Sequence, residues 1–264
     1  MKTQSGHFLQ LTTFDLKIIG IVLMVIDHFH QTFVPFGAPT WLDWFGRPVA
    51  TIFFFTAVVG FSHTHSKKSY MLRLYISMVV MAVLMSLTQQ LINFDQVQLI
   101  NNIFRDLFIG TIFMAAVDQF EKVPDGHAGK HITLGIFLFL LPFLLSLVML
   151  PLLTTGGSIS FGHRLAMQAL LAINPAILLA ENGLMVLLIP IMYIFRKVRW
   201  AQLVSILVVA AIYGFFGSTQ WMMLFAIIPI ALYNGAKGHG MKYFFYIFYP
   251  AHIIFLYALA AWLY

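Results

Sequence analysis

Apolar runs of about 20 residues recur from one end of the chain to the other, the length a helix needs to cross a bilayer. Short polar turns separate them. The pattern predicts about nine transmembrane helices: Leu16 to Val34, Trp44 to His63, Met71 to Ile92, Ile103 to Val117, Ile132 to Leu152, Pro175 to Phe195, Ala201 to Phe216, Gln220 to Tyr233 and Tyr243 to Trp262. The fourth and eighth are short. Between Leu153 and Asn174 a TTGGS turn precedes the weakly amphipathic RLAMQALLAIN, which reads as interfacial, re-entrant or part of an extra span. No polar stretch is long enough to fold separately. The expectation is therefore an all-α, polytopic helical bundle forming a single membrane domain over 1–264, its first apolar run retained as a span.

Composition agrees, with 61% hydrophobic and only 9% charged residues. The absence of cysteine excludes disulfides, thiolate metal sites and a cysteine acyl-enzyme. A net charge of +6 is compatible with nucleic-acid binding, but the basic residues are scattered singly or in pairs between spans, so no nucleic-acid partner is expected. They sort instead by loop. With a cytoplasmic N-terminus, 12 of the 15 lysines and arginines, from Lys2 and Lys17 to Lys237 and Lys242, fall on the cytoplasmic side. Arg47, Arg105 and Arg164 do not, and need another explanation.

Ionisable residues also interrupt the apolar runs. In IVLMVIDHFHQTF, Ile21 to Phe33, Asp27, His28 and His30 stand where lipid would be. At ~1.5 Å per residue His28 lies roughly 18 Å above the start of its helix, and His252 about 14 Å above Tyr243. Glu181 comes to nearly the same level and Arg47 enters the second helix just above, so four spans contribute to one layer. A charge at the bilayer centre costs at least ~2.5 kcal/mol, so these groups should face a protein-lined cavity. Asp27 and His30, three apart, share a face, whereas His28 should seek a partner on another helix. A purely structural account pairs Asp27 with Arg47 and bonds the histidines across helices. His30, and His63, His65, His127, His131 and His239 in turns, are assigned to that account. No metal site is expected: HFH does not put its histidines on one helical face, and no HExxH occurs.

Four segments, taken together, carry a family resemblance. LKIIGIVLMVIDHFHQTF resembles the first-helix signature of the TraX family, which carries an Asp-His pair. FGRPVATIFFFTAVVGFSH is similar to its second motif and supplies Gly46, Arg47 and Gly60. NNIFRDLFIG is similar to its Asn-led helix, with Asn102 the counterpart. YNGAKG and KYFFYIFYPAHIIFLY resemble the closing segment and supply Asn234, Tyr249, Pro250 and His252. Order and spacing match over nearly the whole chain, although Pro48 directly follows Arg47 and Gln119 to Arg196 carries no family motif.

The resemblance implies acetylation of the N-terminus of conjugative pilin by a bacterial inner-membrane acyltransferase using cytoplasmic acetyl-CoA. Acceptors in this class are an amine or hydroxyl of a pilin-like protein, glycan or lipid. The other expected partners are the bilayer and a second copy in a homodimer. Imidazole, with an ordinary pKa of about 6.5, can take the proton of an attacking amine. On this reading His28 is general base or transient acyl carrier, and Asp27 orients it or helps hold Arg47. Arg47 stabilises the oxyanion and His252 is a second proton shuttle. Asn234, Lys237 and Lys242 contact CoA, while Glu181, Asn102 and Tyr249 line the substrate cavity. The alternative is a proton-coupled transporter or channel, in which the same buried groups form a relay and Pro142, Pro190, Pro229 and Pro250 break helices.

Overall fold

The computed structural model describes residues 10–154 and 161–264, and every regular element among them is helical. Ten α-helices are present: α1 Thr13–Phe33, α2 Val49–Ser62, α3 Lys67–Ile92, α4 Ile103–Glu121, α5 Ala128–Thr154, α6 Phe161–Ile173, α7 Leu188–Ile194, α8 Arg199–Phe215, α9 Ile227–Ala231 and α10 Lys242–Leu263. Among the described residues, five helical stretches are long and apolar enough to cross a membrane: Thr13–Phe36, Thr40–Ser62, Lys67–Ile92, Ala128–Pro151 and Tyr243–Leu263. Four others, Arg164–Ile173, Gly183–Ile194, Arg199–Phe215 and Thr219–Ala231, are apolar but shorter. The expected continuous helix from Pro175 to Phe195 is instead two 3₁₀ turns, Ile177–Leu179 and Gly183–Leu187, followed by α7. Ala180, in an extended conformation, ends the first turn, and Gly183, at φ +51°, opens the second. The expected Gln220 to Tyr233 helix likewise starts as a 3₁₀ segment, Thr219–Ala226. RLAMQALLAIN lies largely in α6, whereas the TTGGS turn falls mostly outside the described residues.

Local chemistry fixes several helix starts. Thr12 and Asp15 form a reciprocal capping box on α1, Ser66 caps α3, and Asn102 caps α4 by accepting from Arg105 N at 3.3 Å. The start of α1 is also tied to the segment that precedes α10. Leu11 N donates to Leu232 O, Thr13 N to Ala236 O and Phe14 N to Lys237 O, while Asn234 N donates to Leu11 O.

α4 is the central strut, packed against α2, α3, α5 and α7. Gly110 permits the contact with α7, since a Cβ there would lie 2.3 Å from Ile189 Cδ1. At the other extreme, only 17% of the most apolar window of α5 is buried, and Ile136, Phe137, Leu147 and Val148 point outward as a lipid-facing helix would have them. All five tryptophans are exposed, Trp200 at one pole and Trp41, Trp44, Trp221 and Trp262 at the other, the placement of interfacial anchors.

Two of the three exceptional arginines are engaged by protein. Arg47 forms an ion pair with Asp43, and Arg105 donates to Leu179 O at 3.0 Å and Leu171 O at 2.7 Å. Arg164, near the start of α6, is exposed.

Candidate active site

His28 and His252 meet across the interface of α1 and α10. His28 Nδ1 lies 2.7 Å from His252 Nε2, and the rings are 8° from parallel with centroids 4.9 Å apart. Both side chains are buried, and Phe248 lies against the outer face of His252 at 4.9 Å. A further bond settles which nitrogens carry protons. His252 Nδ1 is 2.8 Å from Phe248 O, and a carbonyl can only accept, so Nδ1 of His252 is protonated. In the neutral ring its Nε2 then bears a lone pair and must accept from His28 Nδ1–H. His28 is left with the lone pair on Nε2. Its partner was legible as "on another helix"; the identity of that partner comes from the fold.

His28 opens onto a cavity of about 950 Å³, which His252 does not line. Asp27, Gln31, Arg47, Asn101, Glu181 and Tyr249 also line it. Gly46 packs directly on the Asp27 carboxylate, leaving room for no side chain: a Cβ there would fall 2.2 Å from Asp27 Oδ1. Asp27 Oδ2 accepts from Gln31 Nε2 at 2.8 Å, while Oδ1 is buried with no hydrogen-bond partner among the described residues. Arg47 is held by Asp43 through both Nε and NH2, and by Gln220, which accepts from NH1 at 3.3 Å and donates to Arg47 O at 3.2 Å. The ion pair of Arg47 is thus with Asp43, its neighbour one helical turn away.

Glu181 reaches the layer from the break before α7, not from a helix. Its carboxylate accepts from Asn102 N at 2.7 Å, Tyr249 OH at 3.2 Å and Asn101 Nδ2 at 3.3 Å, at the N-terminus of α4 where the helix dipole favours an anion. Tyr249 OH in turn accepts from Ile103 N at 3.2 Å. Asp106, which sequence reasoning passed over, pins that break: Glu181 N, Asn182 N and Asn182 Nδ2 all donate to it within 2.8–2.9 Å. The signal for it was Arg105-Asp106 standing inside an apolar run, beside an arginine on the wrong side of the charge sorting.

A second cavity, about 720 Å³, lies at the opposite pole. It is basic, lined by Lys17, Arg73 and Lys237 with His63, His65 and His239. Lys237 is exposed on the loop tied to α1, whereas Asn234 does not line the cavity; its Oδ1 accepts from Ala236 N at 2.8 Å and closes a turn. The side chain of Lys242 lies outside the described ones. The two cavities share three lining residues, Met24, Ile103 and Tyr249, all buried, which form the partition between them. Among the described residues no group of three metal-ligating side chains gathers in either.

An all-helical, membrane-type protein with a buried imidazole pair beside a polar cavity is the class of protein that this fold and site define. The family model described as TraX protein matches residues 13–260, nearly the whole chain, and the chain belongs to the TraX family. No curated protein and no solved structure matches it.

Proposed function

We propose that this chain is a membrane acyltransferase that moves an acetyl group from cytoplasmic acetyl-CoA to an amine, with the N-terminus of a pilin subunit as the acceptor that TraX membership favours. The observation that carries this reading is the His28–His252 pair, whose proton arrangement leaves His28 Nε2 as a base at the edge of the polar cavity.

The acceptor enters the polar cavity, and the donor occupies the basic one, where Lys17, Arg73 and Lys237 face its phosphates. The acetyl thioester passes the partition at Tyr249 to reach His28. The amine nitrogen attacks the thioester carbonyl, its N–H proton goes to His28 Nε2, and the C–N bond forms as the C–S bond breaks. That proton then passes to the departing CoA thiolate, leaving an amide and the free thiol. His252 holds the ring and takes the hydrogen bond of the transient imidazolium. Arg47, fixed by Asp43 and Gln220, presents fixed positive charge to the oxyanion, which a poorly hydrated site strengthens. The basic pole is cytoplasmic in this scheme, in a bacterial inner membrane.

The test uses purified protein in proteoliposomes with labelled acetyl-CoA and a pilin-derived peptide bearing a free N-terminus. Wild type acetylates the peptide and His28→Ala does not. Saturable turnover of acetyl-CoA onto a glycan or lipid, with the peptide untouched, would keep the chemistry and change the acceptor. Absent binding of acetyl-CoA by folded protein, with an acyl-CoA-independent proton flux, would replace this reading with a transporter.

A further inference from the structure

The three side chains that part the two cavities differ in how freely they can move. Met24, Ile103 and Tyr249 are 3%, 8% and 4% exposed, and each lines both cavities. Tyr249 is pinned through its hydroxyl, which donates to Glu181 Oε2 at 3.2 Å and accepts from Ile103 N at 3.2 Å. Phe104 packs edge-on against its ring, with centroids 5.3 Å apart. Ile103 opens α4, and its β-branched side chain is stiff about χ1. Met24 is the exception, unbranched and flexible, with a polarizable thioether that fits irregular space. A passage between the cavities is therefore most easily opened at Met24.

Its place on α1 agrees. Lys17, Ile21, Met24 and His28 follow one another at helical spacings of four, three and four residues, which sets them along one stripe of the helix. Lys17 and Ile21 line the basic cavity, His28 lines the polar one, and Met24 lines both. A group moving along this stripe meets Met24 one turn, about 6 Å, before His28. The ring of Tyr249 stands 5.9 Å from that of His28, so the far side of the partition is already beside the base.

We infer that Met24 is a specificity-determining residue that gates the acyl group by its width. The thioester passes between a movable methionine and the fixed ring of Tyr249, so a narrow acyl group enters and one branched beside its carbonyl is held back. This rests on the acyl-transfer reading and deepens it. It assigns selection of the donor to a side chain that takes no part in proton transfer or in holding the carrier's phosphates.

The test measures thiol release from acetyl-, n-butyryl- and isobutyryl-CoA by protein in proteoliposomes, with the pilin-derived peptide present. The two butyryl groups are isomers of equal composition, and only the second is wide beside its carbonyl. Wild type is expected to favour n-butyryl over isobutyryl in kcat/KM by about tenfold or more beyond the ratio of their uncatalysed aminolysis. Met24→Ala should bring the preference down to that uncatalysed ratio, a readout that does not depend on the folded fraction. Met24→Ile, of similar volume but stiff, should lower kcat for acetyl-CoA severalfold with its KM unchanged. Wild type that treats the two isomers alike, accepting or refusing both, overturns the inference with no variant needed. A preference that Met24→Ala leaves intact also overturns it, while sparing the acyl-transfer reading. Should Met24→Ala not fold, Met24→Ile decides, and a wild-type kcat in that variant overturns the gate. Folded wild type that releases thiol from none of the three removes both readings.

Discussion

The two cavities differ in how their charges are held. In the polar cavity nearly every charged group is committed to protein: Arg47 to Asp43 and Gln220, Arg105 to two backbone carbonyls, and Glu181 to three donors. In the basic cavity two of the cations rest on rings. Lys17 lies 5.1 Å from the centroid of Phe245, Arg73 lies 5.7 Å from that of Tyr70 and hydrogen-bonds the Tyr246 side chain, and Lys237 is exposed. Fixed dipoles suit a place where bonds are made, because nothing must reorganise as charge develops. Long cations on aromatic supports suit a flexible polyanion, which they can follow by adjusting rotamers.

If that contrast is correct, substitutions in the two cavities should fail differently. The largest effect is expected from His28→Ala, with transfer falling by about 10²- to 10⁴-fold while acetyl-CoA still binds. His252→Phe should also lose rate, because His28 Nδ1–H loses its acceptor; a pH–rate profile altered in that variant would show that the pair acts together. Asp106→Ala should instead appear as instability, about 3 kcal/mol in unfolding assays in detergent, since three N–H donors lose one carboxylate. Wild-type stability in that variant would sink the claim that the polar cavity is pre-built. In the basic cavity, Lys17→Ala, Arg73→Ala and Lys237→Ala should each raise the KM for acetyl-CoA severalfold with little change in kcat, and added salt should mimic them. A kcat effect there would blur the division between the two sites.

The smallest effect is expected away from both. Arg196 makes a two-pronged contact with Glu121, at 2.8 and 2.7 Å, and its guanidinium holds the Glu121 carboxyl below its usual range. A depressed carboxylate pKa stabilises the fold above the ordinary value near 4.5, and the contribution is lost as pH falls through the lowered one. Both groups are partly exposed, so Glu121→Gln should cost less than about 1 kcal/mol at neutral pH and nothing in strong acid.

Much of this arrangement could be read from residue order. Helical rise alone put His28 and His252 at one depth, and the charge of Arg47, Arg105 and Arg164 marked them as exceptions to topogenic sorting. What one-dimensional hydropathy cannot see is backbone conformation inside an apolar run. Pro175 to Phe195 is hydrophobic enough to be read as one helix, yet it bends at Ala180–Gly183 because Asp106 offers its N–H groups a better partner than the next helical turn would. Gly46 was legible as a motif glycine but not as the floor beneath Asp27, which depends on the approach of the segment before α2 to α1.

The partition formed by Met24, Ile103 and Tyr249 has an electrical meaning. Were water to fill a cavity on each side, most of the membrane voltage would fall across that one layer of side chains instead of across the full bilayer. Any elementary charge crossing it would meet nearly the whole potential, ~2.3 kcal/mol for each 100 mV. On the acyl-transfer reading, an uncharged acetyl thioester would cross without electrical work, whereas the phosphates of its carrier would be held back on their own side. A layer that passed a neutral acyl group and no charge would leave an ion gradient across it intact.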